Sequence, residues 1–264
     1  MIQRLLYLLL LVVGGLIAID VATRTRASSI ISERTVASIV DPNADEPRRR
    51  AGIEILPGAT APPAGAPSIE MQARLAIRRR LEREGSRVYL DSLLAATDST
   101  LVRWPDRPDR TFTVGFFADT AVAGWDPTAI DDVRAALRGW DSNEANILLR
   151  EIRDSSVADI KVQWVRFLDS SQTGITQLTW SPDGRIQGAT ITLALRQGRD
   201  TVVMPSWGRR RVALHEVGHA LGLPHSSREG DAMFPSSPQS SPSRRDQATL
   251  LLLYAVPHGS LRLP

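Results

Sequence analysis

The chain has 264 residues, a formal net charge of +3 and no cysteine. This length accommodates one good-sized domain with extensions, and the missing cysteines exclude disulfide bonds and thiolate metal ligands. The positive charge comes almost entirely from arginine, with Lys161 as the only lysine. Because the arginines are scattered among acidic residues without an aromatic-rich basic motif, they indicate a solvated surface, and we predict no nucleic-acid partner.

The first segment, residues 1–26, is predicted to direct export. An uncharged, leucine-rich run extends from Leu5 to Ile19 after Arg4, and it is shorter than the roughly 20 residues of a membrane-spanning helix. This layout is typical of a signal peptide. No clear cleavage triplet precedes Ser28, so an uncleaved signal anchor is an equal alternative. Either interpretation places the rest of the chain outside the cytoplasm, as a secreted, periplasmic or membrane-anchored protein.

Two segments separate this apolar run from the main domain, which is predicted at 101–264. Residues 27–67 are polar and then rich in proline, alanine and glycine, which predicts a flexible linker. Residues 68–100 carry apolar side chains at helical spacing on both sides of a break at Gly85, which predicts one or two helices. Their role stays open between a short pro-segment, a packing extension of the domain and a stalk.

The main domain is predicted to combine strands and helices. A strand at 111–117 would place Phe112, Val114 and Phe116 on one face, and Asp126-Pro127 indicates the start of a helix. The later predicted elements are strands at 147–152 and 159–167, a Pro182-Asp183-Gly184 turn between two β-prone runs of which the second is 186–195, a helix from Ser206 to Leu221, and a helix through Tyr254 opened by a Ser243/Asp246 capping box. The order strand, helix, three strands, helix, turn, helix predicts an α+β domain with a mixed sheet.

Three of the four histidines lie within eleven residues, in the run His-Glu-Val-Gly-His-Ala-Leu-Gly-Leu-Pro-His. In a helix, His215 and His219 lie one turn apart on the same face, so both imidazoles can bind one metal ion. Gly222 can adopt the left-handed conformation that ends a helix, and Pro224 blocks its continuation, which allows the chain to bring His225 back as a third ligand. Three protein ligands and an open position are typical of a catalytic zinc site.

This pattern resembles the signature of the metzincin zinc metallopeptidases, in which the histidine motif is followed by a methionine-containing turn. Ser226 directly after the motif and the run Asp-Ala-Met-Phe-Pro around Met233 look most like the matrixin branch, and the resemblance covers roughly 103–254. It implies a zincin-like catalytic domain with a twisted mixed sheet, an active-site helix and a C-terminal helix. It also implies that Met233 forms an apolar floor under the metal and is not a ligand.

The motif and the resemblance together predict a zinc endopeptidase acting on proteins or peptides, with His215, His219 and His225 as ligands. Zinc lowers the pKa of a bound water to near 7. Glu216 would take the proton of this water during attack on a peptide carbonyl and deliver it to the leaving amine. The alternative is a catalytically silent binding module of the same fold on the cell surface. The presence of Glu216 together with all three histidines speaks against it.

The resemblance further implies where a substrate would lie. The strand around Ala189, Ile191 and Leu193 would be the sheet edge against which an extended peptide pairs. Phe234 and Pro235 would begin the wall of the pocket for the side chain after the scissile bond.

Several features depart from animal matrixins or stay outside the motif. The missing cysteines remove the cysteine-switch form of latency. His258 is the only further histidine and is predicted to lie at the surface, so a second, structural zinc cannot be assembled in its usual form. Calcium is compatible with oxygen atoms in the 169–174 loop and the Asp183-Gly184 turn, but no clear motif supports it. Arg209-Arg210-Arg211 is predicted to be a solvated first turn of the metal helix.

Overall fold

The residues that the structure describes form a mixed α+β fold with a five-stranded sheet and five α-helices. A computed structural model describes residues 68–141, 145–168, 172–197 and 202–262. The predicted export segment 1–26, the predicted linker 27–67 and half of the 169–174 loop lie outside these residues. Within the described part of the chain, no helix combines the length and the apolar character that a membrane crossing requires.

The longer helices and strands follow the predicted order, with one strand more than predicted before the helix that carries His215 and His219. The helices are α1 (Ile69–Glu84), α2 (Leu90–Ala96), α3 (Thr128–Trp140), α4 (Ser206–Ala220) and α5 (Arg244–Ala255). The strands are β1 (Thr100–Leu101), β2 (Thr111–Phe117), β3 (Leu148–Glu151), β4 (Ile160–Val165), β5 (Gly174–Trp180), β6 (Ile186–Ala194), β7 (Arg196–Gln197), β8 (Val202–Val203) and β9 (Gly259–Ser260). Four strands, β3 to β6, lie between α3 and β7, whereas three were predicted. The additional strand arises because both arms of the hairpin at Pro182-Asp183-Gly184, β5 and β6, join the sheet.

The sheet has the order β3-β2-β4-β6-β5, in which β5 is the antiparallel edge strand and the other neighbours are parallel. β6 therefore lies inside the sheet, and the prediction that its 189–195 stretch forms the edge is wrong. Ala189 pairs with Ile160 on one side and with Leu178 on the other, so the ladder uses the backbone on both sides. The side chains of Ala189, Ile191 and Leu193 are also buried.

The metal helix α4 packs against α3 through a buried ion pair at its first turns. Arg209 donates from Nε to Asp132 Oδ2 over 2.7 Å and from Nη2 to Thr128 Oγ1 over 2.8 Å. Arg209 and Asp132 are 8% and 1% exposed. The prediction of a solvated first turn is therefore wrong for Arg209, whose partner comes from a helix 77 residues earlier. The neighbouring Arg210 also contacts Asp132, but its side chain is half-exposed.

The segment that precedes β1 packs onto the main domain. Its buried side chains belong to the same hydrophobic core as the sheet and the metal helix: Leu81, Val88, Tyr89, Leu90 and Leu93. At the start of α1 the apolar stripe is not buried, since Ile69 is 88% exposed. Arg78 donates from Nε to the Leu261 carbonyl, and the Leu261 amide donates to Ser99. This packing is compatible with an extension of the domain, one of the three roles that the sequence left open, and the role of the segment stays a prediction.

Candidate metal centre

The end of α4 brings the third histidine back toward the first two. The Leu221 amide still donates to Val217, and Gly222 then has a φ of +93°, the left-handed conformation expected of a helix-ending glycine. A side chain at Gly222 would place its Cβ 2.9 Å from the carbonyl oxygen of Val102, so only glycine fits without a shift. The amide of Leu223 donates to Gly218, which closes the turn and returns the chain toward His225.

The imidazoles of His215, His219 and His225 converge on one point. The Nε2 atoms of His215 and His219 lie 3.1 Å apart. The Nε2 atom of His225 lies 3.2 Å from each of them. Two nitrogens bound tetrahedrally to one zinc at about 2.0–2.1 Å lie about 3.3–3.4 Å apart. The three ring nitrogens therefore fit a single zinc ion with little adjustment, as the sequence predicted.

Backbone carbonyls set the orientation of two of the rings. His215 donates from Nδ1 to the carbonyl oxygen of Ala232, and His219 donates from Nδ1 to that of Leu223, each over 2.8 Å. A carbonyl oxygen only accepts, so the Nδ1 atoms carry the protons and the Nε2 lone pairs face the shared point. Hydrogen bonds of this kind orient metal-binding histidines and make the coordinating nitrogen more basic.

The three histidines are held in their neutral form. The pKa of His219 is lowered to about 3, mainly by burial and in part by the positive charge that His215 or His225 would carry. Burial also lowers the pKa of His215 and of His225, although His225 is the most exposed of the three. Neutral imidazole is the form that binds a metal, so the site is prepared for an ion near neutral pH.

Glu216 lies buried beside the first ligand and contacts the edge strand. Its Oε2 accepts a hydrogen bond of 2.7 Å from Thr176 Oγ1 on β5. A Cβ at Gly174 would lie 2.7 Å from Glu216 Oε1, so that glycine leaves room for the carboxylate. Burial raises the pKa of Glu216 to about 7, against the hydrogen bond from Thr176, which lowers it. A carboxylate with a pKa near neutrality can both accept and return a proton.

Met233 lies on the other side of α4, in the turn that the sequence predicted. It is fully buried, and a Cβ at Gly218 of the metal helix would collide with its Sδ. Its carbonyl oxygen accepts from the Ser226 amide, which ties the turn to the residue after His225. Met233 therefore packs against α4 at Gly218 as a buried apolar side chain, while the preceding Ala232 supplies the carbonyl that orients His215.

A buried carboxylate, Asp246 in α5, holds this turn in place. Its Oδ2 accepts from the amides of Ala232 and Ser243, both over 2.7 Å, and the predicted capping box between Ser243 and Asp246 is confirmed. Asp231, at the start of the turn, is buried and accepts from Ser243 Oγ and from Arg245. The Met233 turn and the first turn of α5 thus share one network of hydrogen bonds.

The remaining predicted residues lie around this centre or away from it. Phe234 is half-buried and Pro235 is exposed, both directly after Met233. His258 lies partly exposed at the other end of the domain and contacts the Asp183 carbonyl. Thr176 and Gly174 were missed, because the sequence shows neither that their strand is the sheet edge nor that it passes Glu216.

The comparisons with known proteins agree with this geometry. A family model described as Matrixin (Peptidase_M10) matches residues 200–254. A search of curated proteins finds no match for the chain. The matched stretch contains all three histidines, Glu216 and Met233, so this part of the chain is similar to the matrixins and its histidine triad fits a zinc-binding motif.

Proposed function

We propose that the protein is a zinc-dependent endopeptidase with a metzincin-like catalytic domain. The observation that carries the proposal is the convergence of three neutral Nε2 atoms beside a buried carboxylate whose pKa lies near 7. His215, His219 and His225 would hold the zinc. Three protein ligands leave one position for the reaction, which distinguishes a catalytic from a structural zinc site.

Glu216 would act as the general base and then as the general acid. A zinc ion held by the three histidines would act as a Lewis acid for the scissile carbonyl and would make the attacking water more acidic. The carboxylate of Glu216 takes the proton of that water and returns it to the nitrogen of the leaving amine. Thr176 holds one oxygen of this carboxylate and so limits its rotation, and the other oxygen would carry out the proton transfer.

A peptide substrate would pair with β5 instead of β6. Among the described residues, β5 is paired on one side only, so its other side presents backbone donors and acceptors to an extended peptide. Gly174 and Thr176 of this strand contact Glu216, which places the open edge next to the proposed base. Recognition through the backbone predicts broad sequence tolerance, and Phe234 and Pro235 would contact the side chain after the scissile bond.

The location of this activity is proposed from the sequence alone. The apolar run from Leu5 to Ile19 supports export, with the domain outside the cytoplasm. N-terminal sequencing of the protein recovered from membrane and soluble fractions tests this. A chain that starts after the apolar run indicates cleavage, and an intact chain in the membrane fraction indicates an anchor. An intact chain in the cytosol contradicts export.

The activity test uses the full-length protein purified with a mild detergent. We expect one equivalent of zinc by elemental analysis, cleavage of an unfolded protein substrate, loss of cleavage with a chelator and recovery with added zinc. Glu216→Gln should keep its zinc and lose turnover by about 10²–10⁴-fold, the usual contribution of a general base. Glu82→Gln makes the same change on the exposed face of α1 and should leave both unchanged.

The outcomes separate the candidate functions. Protein that binds no zinc contradicts the metal site. Zinc-loaded protein that cleaves nothing favours the alternative, a binding module of the same fold. Full activity in Glu216→Gln contradicts the role of Glu216 while leaving the metal site intact.

A further inference from the structure

Tyr89 lies in the segment before β1, far in sequence from the metal motif, yet it contacts the support of that motif. Its side chain is 4% exposed, and its hydroxyl donates to Asp246 Oδ1 over 2.6 Å. Burial and the neighbouring Asp246 carboxylate raise the pKa of Tyr89, so the hydroxyl keeps the proton that it donates. This hydrogen bond joins two residues that are 157 positions apart.

From Asp246 a continuous path of hydrogen bonds leads to a metal ligand. The second oxygen of Asp246 accepts from the Ala232 amide over 2.7 Å, and the Ala232 carbonyl accepts from His215 Nδ1 over 2.8 Å. Tyr89 is therefore three hydrogen bonds away from the ring of His215. Asp246 is fully buried, so losing one of its donors is not compensated by solvent.

Arg245 fixes the same segment from the other side. Its guanidinium donates to the Val88 and Ser86 carbonyls, both over 3.0 Å, and lies 4.9 Å from the centre of the Tyr89 ring. The same guanidinium donates to Asp231 Oδ2 over 2.7 Å, at the start of the Met233 turn. The residues around Tyr89 and the turn under the metal are thus held by adjacent residues of α5, Arg245 and Asp246.

We propose that residues 86–93 are a permanent part of the metal centre and that Tyr89 is a positioning residue for His215, acting through Asp246 and Ala232. The inference rests on the proposed zinc site. It assigns the segment a role that a removable pro-segment cannot have. Its departure would take the Tyr89 hydroxyl from Asp246 and two carbonyl acceptors from Arg245, beneath the proposed ligands. It also extends the functional unit beyond the stretch that resembles the matrixins.

The test is the zinc affinity of full-length Tyr89→Phe, measured by competition with a chromophoric chelator. The variant keeps the buried ring and loses only the hydroxyl. Removing a direct hydrogen-bond partner of a ligand weakens metal binding by about 10–100-fold. Because Tyr89 is two hydrogen bonds further from the ligand, we expect the zinc affinity to fall by about three- to tenfold. The visible absorption of the cobalt-substituted protein should shift, because it reports the ligand geometry.

Thr97→Val is the matched control. Thr97 also precedes β1 and lies just after residues 86–93. Its hydroxyl donates to the Leu93 and Thr100 carbonyls and makes no hydrogen bond to α5. Thr97→Val should lower the thermal midpoint of the metal-free protein. Its zinc affinity should stay within about twofold of the wild type, which is a difference in binding free energy of less than about 0.5 kcal/mol. Unchanged zinc affinity in Tyr89→Phe, or an equal loss in both variants, overturns the proposal.

A second measurement on the unchanged protein covers the case in which Tyr89→Phe does not fold. Coupling between two sites is reciprocal, so zinc binding should protect residues 86–93 from amide hydrogen exchange. We expect a larger gain there than in β3, at the far edge of the sheet. Equal gains in both places overturn the proposal. Wild-type protein that binds no zinc would instead contradict the zinc site itself, so the two failures are distinguishable.

Discussion

The two sides of the metal centre are held in different ways. On the support side, formed by Ala232, Met233 and Asp246, buried side chains and a buried carboxylate fix the turn beneath the ligands. On the substrate side, formed by Gly174 and Thr176 of β5, the strand residues are only partly buried, and one side-chain hydrogen bond reaches Glu216. The difference between the sides fits the proposed function, in which the ligands need fixed positions and a substrate needs an open backbone.

The largest effect on stability is expected from Gly218→Ala on the support side. The added Cβ would collide with Met233 Sδ and lie 2.8 Å from Trp140 Cζ2, and both of these side chains are buried. Overpacking of this kind costs about 1–3 kcal/mol, and we expect the upper end, together with weaker zinc binding. Urea denaturation of the metal-free protein and chelator competition measure the two effects.

Gly188→Ala is the control for this substitution, since no atom lies within 4 Å of a Cβ at Gly188 in β6. Its free energy of unfolding should stay within about 0.5 kcal/mol of the wild type, as for substitutions away from special features. Gly218→Ala could also prove as stable as Gly188→Ala and bind zinc equally well. The turn that contains Met233 would then adjust to the added methyl group, and the support side would be no more rigid than the substrate side.

An intermediate effect is expected from Asp159→Asn, which tests stability away from both sides. Burial raises the pKa of Asp159, but hydrogen bonds from Arg107 and Thr113 outweigh it and leave this pKa below its ordinary value. The carboxylate therefore stabilises the fold above its unfolded pKa of about 3.9, and this contribution is lost as the pH falls through the lowered folded pKa.

For Asp159→Asn we expect a loss of about 1–2 kcal/mol near pH 7 that shrinks as the pH falls below the unfolded pKa of about 3.9, with unchanged zinc affinity. Denaturation at several pH values and chelator competition measure both. A pH-independent loss would contradict the electrostatic explanation. Weakened zinc binding would show that a lower overall stability also lowers the zinc affinity. This general effect would then have to be subtracted when the variants on the two sides are compared.

The smallest effect on stability is expected from Thr176→Val on the substrate side. The variant keeps the shape of the side chain and removes the donor to Glu216 Oε2. The free energy of unfolding should fall by about 1 kcal/mol or less. kcat should fall by about tenfold because the base is less well oriented, with KM little changed. Thr179→Val, on the exposed end of the same strand, should change neither quantity. Equal turnover in both variants would remove Thr176 from the proposed mechanism.

Features encoded within a few neighbouring residues were predicted well from the sequence. The spacing of His215, His219 and His225, the left-handed Gly222 and the capping box at Ser243 and Asp246 all depend on local backbone geometry, and the structure confirms their conformations. The α+β class and the boundaries of most elements follow from the periodicity of apolar residues, which is also local.

Features that depend on distant partners were predicted wrongly or missed. Strand periodicity shows that β6 is a strand, but its place inside the sheet depends on β5 pairing beside it. Arg209 was assigned to solvent because its partner Asp132 lies on another helix. Tyr89 gave no local signal, since its role exists only through Asp246. In each case the missing information was the three-dimensional neighbour and not the chemistry of the residue.

The carbonyl anchors of the two helical ligands have a consequence for how this site tolerates sequence change. Both acceptors, at Ala232 and Leu223, belong to the main chain, so no replacement of either side chain removes the oxygen that orients His215 or His219. Only a shift of the backbone can do so, and at Ala232 the carboxylate of Asp246 opposes such a shift. The choice of side chain at positions 223 and 232 is therefore limited only by packing. The orientation of His215 and His219 depends on the backbone conformation at these positions and not on which side chains they carry.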